Sequence, residues 1–350
     1  MRRSVIVLVL TLFCLLLSLP AYAADQPIPV RVVVVTMFEQ GEDTGDDPGE
    51  FQEWVERFPL PEKIPFPAGS RNLRYNADKQ VLAMVTGIGT ARAASSIMAL
   101  GMDPRFDLSK SYWLVAGIAG ANPHAITLGA AAWAEWVVDG DLAHEIDARE
   151  IPSDWQTGYF PLFTTKPYYE PRPTENLGNA YRLNTRLRDW AFALTRDVAL
   201  PDSKPLQELR ARFEGFPEAQ KPPAVLKGDT LSAMTFWHGT YLNDWAEGWV
   251  KYWTNGEGRF ATSAMEDTGT LQALTFLDQA ARADIDRVMV LRTTSNFAMQ
   301  HPGQTAAESM LQEGKGYSAF LPSLDAAYVV GSKVVNALSG NWAKYEAGLP

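Results

Sequence analysis

The chain has 350 residues, of which 46% are hydrophobic, so it can bury either one large core or two smaller ones. Its formal charge of -10 and its pI near 5.0 exclude a nucleic-acid partner, because the sequence offers no basic stripe that could neutralise phosphates. The composition therefore indicates a folded globular protein with no affinity for polyanions.

Residues 1–23 have the organisation of a secretory signal peptide. A basic start at Arg2-Arg3 precedes an apolar run over 4–19, and a small-x-small cleavage site ends at Ala23. An uncleaved signal anchor is the alternative, but it needs a longer apolar span of roughly 20 residues. The only cysteine, Cys14, falls inside this run, so the mature chain has no disulfides to form. We expect a periplasmic or secreted protein, cleaved near Ala23, with no transmembrane segment.

The mature chain, 24–350, alternates strand and helix patterns and is interpreted as a single domain. Buried strands are predicted over 30–35, 80–85 and 112–116, and a helix over 91–100. Strands that end in glycine turns and lead into helices predict a three-layer α/β fold, with a mixed, mostly parallel central sheet flanked by helices. Ligands of such sheets bind beyond the carboxyl ends of the strands.

Two stretches depart from this alternation. Residues 151–226 are rich in Pro, Tyr and charge, which predicts an insertion or peripheral layer with helices over about 184–197 and 205–213. The acidic, Gly-rich stretch 43–50 lacks the ligand spacing of an EF-hand, so a solvated loop is favoured over a calcium loop. The four histidines also show no paired metal spacing, and no Gly-x-Ser-x-Gly nucleophile elbow is present. We therefore expect no metal site and no acyl-transfer hydrolase.

Glycine-containing turns follow two of the predicted strands. The first is Thr86-Gly87-Ile88-Gly89-Thr90, which opens the predicted helix; its free N–H groups can attract an anion or hydroxyl oxygens. A purely structural turn is the alternative. It is not a dinucleotide fingerprint, because Arg92 stands where the third glycine belongs. The second turn is predicted over Val115 to Gly120, and turns at adjacent strand ends can wall one cleft.

Four side chains are candidates for the chemistry of this cleft. Glu266, near a strand end, can accept hydrogen bonds from two vicinal hydroxyls such as those of ribose, at roughly 1.5–3 kcal/mol each, or can form a surface ion pair. Asn296 can bind the edge of a purine through its amide or can cap a strand. Phe236 and Trp237 can stack on a base or pack in the core.

Several blocks of the chain together resemble the purine nucleoside permease family, which is itself similar to the nucleoside phosphorylase and nucleosidase superfamily. The resemblance covers most of the mature chain from about Val30 onward. Three short motifs look specific to the family: Trp237-His238-Gly239, Trp253-Thr254 and Met265-Glu266-Asp267. The blocks that match, in order, are 86–100, 115–139, 228–238, 263–270 and 288–304.

The resemblance implies a nucleoside phosphorylase-like fold, purine nucleosides as ligands and at least a homodimer, with no cofactor other than phosphate as a co-substrate. It assigns Met265 and Glu266 to ribose binding and Phe236 to stacking on the base. It places Asn296 where the superfamily has the acid that protonates the leaving base. Thr86, Gly87, Gly89, Thr90 and Gly120 are predicted to complete the binding site, together with Trp237.

Departures from the superfamily leave the reaction open. An amide cannot act as a general acid, but Asn296 can stabilise a purine nitrogen that gains charge, as an Asn does in relatives that prefer 6-oxopurines. Ala83 stands where uridine-type phosphorylases carry a phosphate-binding arginine. Phosphate can instead meet Thr86, Thr90 and Arg92, or water can be the nucleophile. Two hypotheses follow: an exported enzyme that cleaves the N-glycosidic bond, and a non-catalytic nucleoside-binding component of an uptake system.

Overall fold

The computed structural model of the protein describes residues 26–174, 177–313 and 319–350. The predicted signal peptide over 1–23 lies outside the described residues. Within the described ranges, no helix is both long enough and apolar enough to cross a membrane.

The strands and helices of the described residues follow one another in mixed order along the chain. The strands are β1 (Ile28–Pro29), β2 (Val32–Thr36), β3 (Glu62–Ile64), β4 (Leu73–Asn76), β5 (Val81–Val85), β6 (Phe106–Asp107), β7 (Tyr112–Ala121), β8 (Ala131–Trp133), β9 (Trp136–Asp139), β10 (Ala143–Glu145), β11 (Tyr159–Pro161), β12 (Ala180–Arg182), β13 (Val225–Lys227), β14 (Asp229–Ser232), β15 (Phe260–Ala264) and β16 (Val288–Phe297). The helices are α1 (Gln52–Arg57), α2 (Thr90–Gly101), α3 (Thr185–Thr195), α4 (Lys204–Ala211), α5 (Thr240–Trp253), α6 (Asp267–Gln279), α7 (Ala306–Glu313), α8 (Phe320–Gly340) and α9 (Trp342–Tyr345), with a short 3-10 turn over Ile285–Arg287.

Most of these strands form one large sheet. Its strand order is β12-β9-β14-β15-β7-β2-β5-β4-β3, while β16 pairs with both β7 and β8, and β8 also pairs with β13. Parallel pairs join β2 to β5 and β7, and β7 to β16, whereas β15 runs antiparallel to β7 and β16 antiparallel to β8. The predicted mixed sheet with parallel strands is confirmed.

Helices cover both faces of this sheet, as the fold class requires. The run of valines in β2 shows why, because successive side chains of a strand point to opposite faces. Val33 and Val35 are buried in one apolar cluster with residues of α2 and α6. Val32 and Val34 are buried in another with residues of α1, α3 and α8. Three layers result, with β2 completely enclosed at the centre.

Strand β7 differs from the sequence-based expectation. The strand predicted to end at 116 continues to Ala121, so Gly117 and Gly120 lie inside β7 and not in a turn. The predicted second glycine turn is therefore wrong. A glycine inside a strand leaves room for the close approach of other groups, and here that room adjoins the site described below.

The unusual stretches also contribute to the packed domain. Within 151–226, β12 pairs with β9 at the sheet edge and α3 packs on the same face as α8. Within 43–50, Asp43 is buried and paired with Arg71 and Arg74, and Glu50 is buried too. That stretch was predicted to be a solvated loop, but these two carboxylates have partners inside the protein.

Candidate functional site

A cavity of about 260 Å³ opens beyond the carboxyl ends of β2, β14, β15 and β16. This is where ligands of such sheets bind. Most of its lining is apolar, and its charged side chains are two carboxylates. The lining residues are Met37, Phe38, Glu50, Ile88, Ile118, Ala119, Gly120, Thr235, Phe236, Trp237, Ser263, Ala264, Met265, Glu266, Ser295, Asn296, Ala298 and Phe320.

Glu266 lies just after β15 and is only 5% exposed, so it is not part of a surface ion pair. Its Oε1 accepts a hydrogen bond of 3.1 Å from the backbone N–H of Gly89, and its Oε2 accepts one of 3.2 Å from the N–H of Met265. Arg292 donates to the same Oε2 at 3.3 Å. These bonds hold the carboxylate in place at the cavity wall.

Arg292 of β16 is the centre of a buried charge cluster. Its Nε and Nη2 donate to the carboxylate of Asp267, with the shortest contact at 2.9 Å, and its Nη1 donates to the carbonyl of Ile118 at 3.1 Å. The side chain is 1% exposed and Asp267 is fully buried. A planar guanidinium with several fixed N–H donors orients carboxylates, which suits it to fixing Glu266.

Glu50 brings a further carboxylate to this cluster. Its Oε2 accepts from the N–H of Met37 and its Oε1 from the N–H of Ile118, both at 2.7 Å. Gly117 makes room for it, since a Cβ there would lie 2.5 Å from Glu50 Oε1 and 2.9 Å from Arg292 Nη1. The glycine of β7 therefore permits Glu50 and Arg292 to lie side by side.

Burial changes the acidity of these carboxyl groups. Desolvation raises the pKa of Glu50 from its ordinary value of 4.5 to about 8, although Arg292 and the two N–H donors act in the opposite direction. Burial also raises the pKa of Glu266, again opposed by Arg292. The negative charge of Glu266 contributes to the rise at Glu50. Near neutral pH, Glu50 is therefore a carboxyl group poised to exchange a proton.

The opposite end of the cavity is neutral. The pairing of β16 with β7 shifts register between Thr294 and Asn296, and this irregularity places Ser295 and Asn296 on the cavity wall. Asn296 is 7% exposed, and its Oδ1 accepts from the hydroxyl of Ser295 at 3.0 Å. Gly120 lies across the strand pair, where a Cβ would sit 3.6 Å from Asn296 Nδ2.

Aromatic side chains form a wall beside this neutral end. Phe236 and Trp237 follow β14; Phe236 is 42% exposed, whereas Trp237 is 9% exposed and packs against other aromatic rings. Trp237 thus belongs to both the core and the cavity. The N–H of Gly239 donates to the carbonyl of Ala298 at 3.0 Å, which ties this loop to the strand that carries Asn296.

The first glycine turn supports the cavity from outside. Thr86, Gly87, Gly89 and Thr90 are not among its lining residues, but Gly89 donates its N–H to Glu266, and the Thr90 hydroxyl donates to the carbonyl of Met265 at 3.1 Å. Gly87 and Gly89 both have positive φ, so other residues would strain the turn. The fully buried Thr86 donates its hydroxyl to the carbonyl of Gly87.

The structure thus collects six of the predicted residues in one cavity: Gly120, Phe236, Trp237, Met265, Glu266 and Asn296. Sequence reasoning missed Glu50, since a lone Glu after an acidic, Gly-rich stretch has no periodic signal that marks it as buried. It also assigned no role to Arg292. In the described part of the chain, no group of three or more His, Cys, Asp or Glu residues is placed to hold a metal ion.

Solved structures with the same fold include two enzymes of Helicobacter pylori. The 5'-methylthioadenosine/S-adenosylhomocysteine nucleosidase has a TM-score of 0.53 and 14% identity, covering 89% of this chain and 100% of that one. The futalosine hydrolase also has a TM-score of 0.53 and 14% identity, covering 88% of this chain and 98% of that one. At this level of identity the likeness establishes the nucleosidase-type fold and nothing further.

Sequence relatives identify the family. A probable purine nucleoside permease of Schizosaccharomyces pombe is 32% identical over 276 residues, which are 77% of this chain and 78% of that protein. A purine nucleoside permease of Candida albicans is 29% identical over 339 residues, or 93% of this chain and 79% of that protein. The model of the family described as purine nucleoside permease matches residues 29–350. The chain therefore belongs to the purine nucleoside permease family.

Proposed function

We propose that this protein binds purine nucleosides and hydrolyses their N-glycosidic bond, with water as the nucleophile. The observation that carries the proposal is the placement of Glu50 and Glu266 in one cavity, both buried and both beside Arg292. Two carboxylates of different surroundings can divide the work, one binding the sugar and the other moving a proton.

Sugar binding falls to Glu266 and Met265. The Glu266 carboxylate already accepts bonds from Gly89, Met265 and Arg292, so its position is fixed before a ligand arrives. Each carboxylate oxygen can accept more than one hydrogen bond, which leaves capacity for the 2' and 3' hydroxyls of ribose. Because the group is preorganised, little conformational entropy is lost when the sugar binds.

Bond cleavage falls to Glu50. In the proposed step the bond between C1' and N9 breaks, and both electrons go to the purine. A water molecule attacks C1' and gives its proton to ionised Glu50, yielding ribose and a free base that takes up a proton from solvent. A positioned general base of this kind typically contributes 10²–10⁴-fold to the rate.

Water is favoured over phosphate because of the charge around the cavity. Of its two lining carboxyl groups, Glu266 and Glu50, each repels a phosphate dianion when it is ionised, and the charge of Glu50 is added as the pH rises towards about 8. The groups expected to hold phosphate do not line the cavity: the Thr90 hydroxyl donates to the carbonyl of Met265, and the exposed Arg92 donates to the carbonyl of Ile88 at 3.0 Å. We therefore propose that turnover does not depend on phosphate.

The base is proposed to lie between Phe236 and Asn296. Stacking on an aromatic side chain contributes about 1–3 kcal/mol per base, and Phe236 lines the cavity with 42% of its surface exposed. The Asn296 amide can meet N7 and O6 of a 6-oxopurine together, whereas adenosine offers a donor where the amide also donates. Inosine and guanosine are therefore the proposed substrates, in preference to adenosine.

A second candidate function is favoured by the names of the sequence relatives, which are permeases. In that case the protein binds nucleosides without cleaving them and delivers them to an uptake system. We propose for either function that the mature chain begins at Ala24 and lies in the periplasm. Intact mass of the protein in a periplasmic extract tests this, and the full-length chain in the membrane fraction would contradict it.

Turnover by purified protein separates the two functions. Inosine, guanosine and adenosine are incubated with the protein, with and without phosphate, and the released base and sugar are measured. Hydrolysis predicts hypoxanthine and free ribose at a rate that phosphate leaves unchanged. Ribose 1-phosphate would instead show phosphorolysis, and tight nucleoside binding without release of any base would favour the uptake role.

A further inference from the structure

Asp267 is a buried charge beside the site to which the proposed function assigns no role. It ends the Met265-Glu266-Asp267 motif, is fully buried and is the first residue of α6. A carboxylate in the first turn of a helix is stabilised by the helix dipole, so a negative charge is favoured there. Asp267 does not line the main cavity. It can therefore act on a ligand only through a neighbour, and that neighbour is Arg292.

Asp267 occupies one edge of the Arg292 guanidinium. The Nε and Nη2 groups form an edge that holds a carboxylate by parallel hydrogen bonds. Nε donates to Asp267 Oδ1 at 3.1 Å and to Oδ2 at 3.2 Å, and Nη2 donates to Oδ1 at 2.9 Å. The same Nη2 reaches Glu266 Oε2 at the longer distance of 3.3 Å. Asp267 therefore makes the closest of these contacts and sets the rotation of the guanidinium.

Glu50 lies beside the remaining nitrogen of Arg292, Nη1, without pairing with it. Nη1 donates to the carbonyl of Ile118 at 3.1 Å, whereas the N–H of Ile118 donates to Glu50 Oε1 at 2.7 Å. Among the described residues, Arg292 forms ion pairs with Glu266 and Asp267 but none with Glu50. Glu50 thus has a cation next to it without the direct hydrogen bond that would stabilise its charged form most strongly.

The other groups around Glu50 supply no second cation in the described part of the chain. Burial raises the pKa of Glu50 most, Arg292 lowers it, and the charge of Glu266 raises it again. The ends of β2 and β7 present backbone N–H groups, and α8 contributes the apolar Phe320 to the cavity. Glu39, on the same loop as Glu50, is bonded to N–H groups of its own segment. The orientation of Arg292 therefore decides how basic Glu50 is.

We propose that Asp267 is a positioning residue, which holds the guanidinium of Arg292 away from Glu50 and so keeps Glu50 free to take a proton from the attacking water. The catalytic part of this inference rests on the proposed hydrolysis, whereas the orientation of Arg292 does not. Without the charge of Asp267, the guanidinium is released and can turn a donor towards Glu50. Glu50 then gains a charge-assisted hydrogen bond, which favours its ionised form and makes it a weaker base.

Asp267→Asn tests this role, because Asn has nearly the same shape without the charge. The contribution of Glu50 is isolated by comparing the free energy of unfolding of each protein with that of its Glu50→Gln counterpart across pH. In the wild type this difference should change with pH up to about pH 8. In Asp267→Asn the change should end about 1–3 pH units lower, since a direct cationic partner lowers the pKa of a carboxyl group by that amount. This measurement needs no nucleoside.

The rate of inosine hydrolysis should show the same shift. The midpoint of kcat/KM against pH should move down by about 1–3 pH units in Asp267→Asn. The plateau above the midpoint should fall about tenfold, because a weaker base accepts the proton of water less readily. Asp267→Ser, a second variant without the charge, should repeat both changes.

Asp202→Asn is the matched control. Asp202 also holds a buried arginine, Arg210, by hydrogen bonds of 2.6 Å and 2.9 Å, but neither residue lines the cavity. Its replacement should lower stability and leave the contribution of Glu50 and the pH profile of kcat/KM unchanged. The comparison thus distinguishes loss of a buried ion pair in general from loss of this one.

The outcomes separate this inference from the proposed function. If the contribution of Glu50 to unfolding still ends near pH 8 in Asp267→Asn, the inference is overturned. An equal shift in Asp202→Asn also overturns it. So does failure of both Asp267 variants to fold while Asp202→Asn folds, because Asp267 would then serve the fold alone. A shift in unfolding with no turnover by the wild type supports the hold of Asp267 on Arg292 and overturns the proposed hydrolysis.

Discussion

The charged end of the cavity, where we place the sugar, is fixed, whereas the neutral end, where we place the base, is less tightly held. At the sugar end, Glu50, Glu266 and Arg292 are almost fully buried, and each has hydrogen bonds within the protein. At the base end, Phe236 is 42% exposed and Asn296 presents an amide. The difference is one of electrostatics as much as of shape.

If the protein cleaves nucleosides as proposed, this contrast predicts that the charged end sets the rate of the reaction and the neutral end sets the choice of base. Buried charges act strongly because water does not screen them, so we expect a change at Glu50 or Glu266 to alter the energy of the proposed transition state directly. Neutral contacts at the base end contribute smaller increments that a single substitution can adjust. The free-energy cost of burying the charge cluster is offset by its network of hydrogen bonds. Removing one charged side chain therefore leaves its partners buried without a compensating charge.

Replacing Glu50 should produce the largest effect. Glu50→Gln removes the proposed base, so inosine hydrolysis should fall about 10²–10⁴-fold in kcat while the dissociation constant for inosine changes little. Steady-state assays of hypoxanthine release measure kcat, and calorimetry measures the dissociation constant. Glu308→Gln, on α7, removes a carboxylate far along the chain from the cluster and is the control. Unchanged kcat in Glu50→Gln would remove Glu50 from the mechanism.

The pH dependence of the wild type should follow the same carboxyl group. Because ionised Glu50 is the proposed active form and its pKa is raised to about 8, kcat/KM should increase about tenfold per pH unit below 8 and level off above it.

The raised pKa of Glu50 also makes the stability of the protein depend on pH. The folded chain binds more protons than the unfolded chain between pH 4.5 and 8, so the free energy of unfolding should decline as pH rises through this range. Glu50→Gln should flatten that decline in thermal unfolding, and an equally steep decline in the variant would assign it to other groups.

The sequence predicts the fold well because the fold rests on periodic burial. The valine run of β2 and the helix at α2 follow directly from hydrophobic patterning, and both are found within two residues of the predicted bounds. The end of β7 was mispredicted because glycine normally marks a turn. Gly117 and Gly120 occur inside that strand for a reason outside its own pattern, namely the side chains packed against them.

The site is predictable only where residues lie close to strand ends. Glu266 and Asn296 follow or end strands, so the topology alone brings them to one edge of the sheet. Glu50 reaches the site through a loop that folds back to Met37, and its burial depends on N–H groups of Met37 and Ile118. Those are tertiary contacts between distant segments, and no local propensity encodes them.

Changing Glu266 probes sugar binding at the charged end. Glu266→Gln keeps the shape but removes the charge, so nucleoside affinity should fall by about 1.5–3 kcal/mol while affinity for the free base changes little. Arg292 keeps Asp267 as an ion-pair partner, so the variant should still fold. Calorimetry with inosine and hypoxanthine gives both values. Equal losses for nucleoside and base would show that Glu266 does not hold the ribose.

At the neutral end, Asn296→Asp should change the preference between bases. An acid can protonate N7 of adenine, and an amide cannot, so adenosine cleavage should rise about tenfold relative to inosine, the equivalent of one charge-assisted hydrogen bond. Release of adenine and hypoxanthine from matched nucleosides measures the ratio. Ser295→Ala, next to it, removes a hydroxyl that bonds to Asn296 Oδ1 and tests whether orientation alone shifts the ratio. Faster adenosine than inosine cleavage in the wild type would separate Asn296 from the base.

Gly120→Ala should give the smallest effect and the clearest sign that the base end is shaped for a ligand. The added Cβ would lie 3.6 Å from Asn296 Nδ2 and 3.8 Å from both Ser263 Cβ and Ala298 Cβ, which is ordinary contact distance, so the variant should fold without strain. Its φ is outside the left-handed region, and losing glycine lowers the entropy of the unfolded chain, which should raise stability by about 0.4–1 kcal/mol. Because the same methyl group occupies cavity volume beside Asn296, nucleoside affinity should fall by about 1 kcal/mol. Thermal unfolding measures the change in stability, and calorimetry on the same preparation measures the change in nucleoside affinity. If the variant is more stable but binds nucleoside less well, Gly120 is present for the sake of the ligand. A loss of both stability and affinity would mean instead that Gly120 serves the packing of β7.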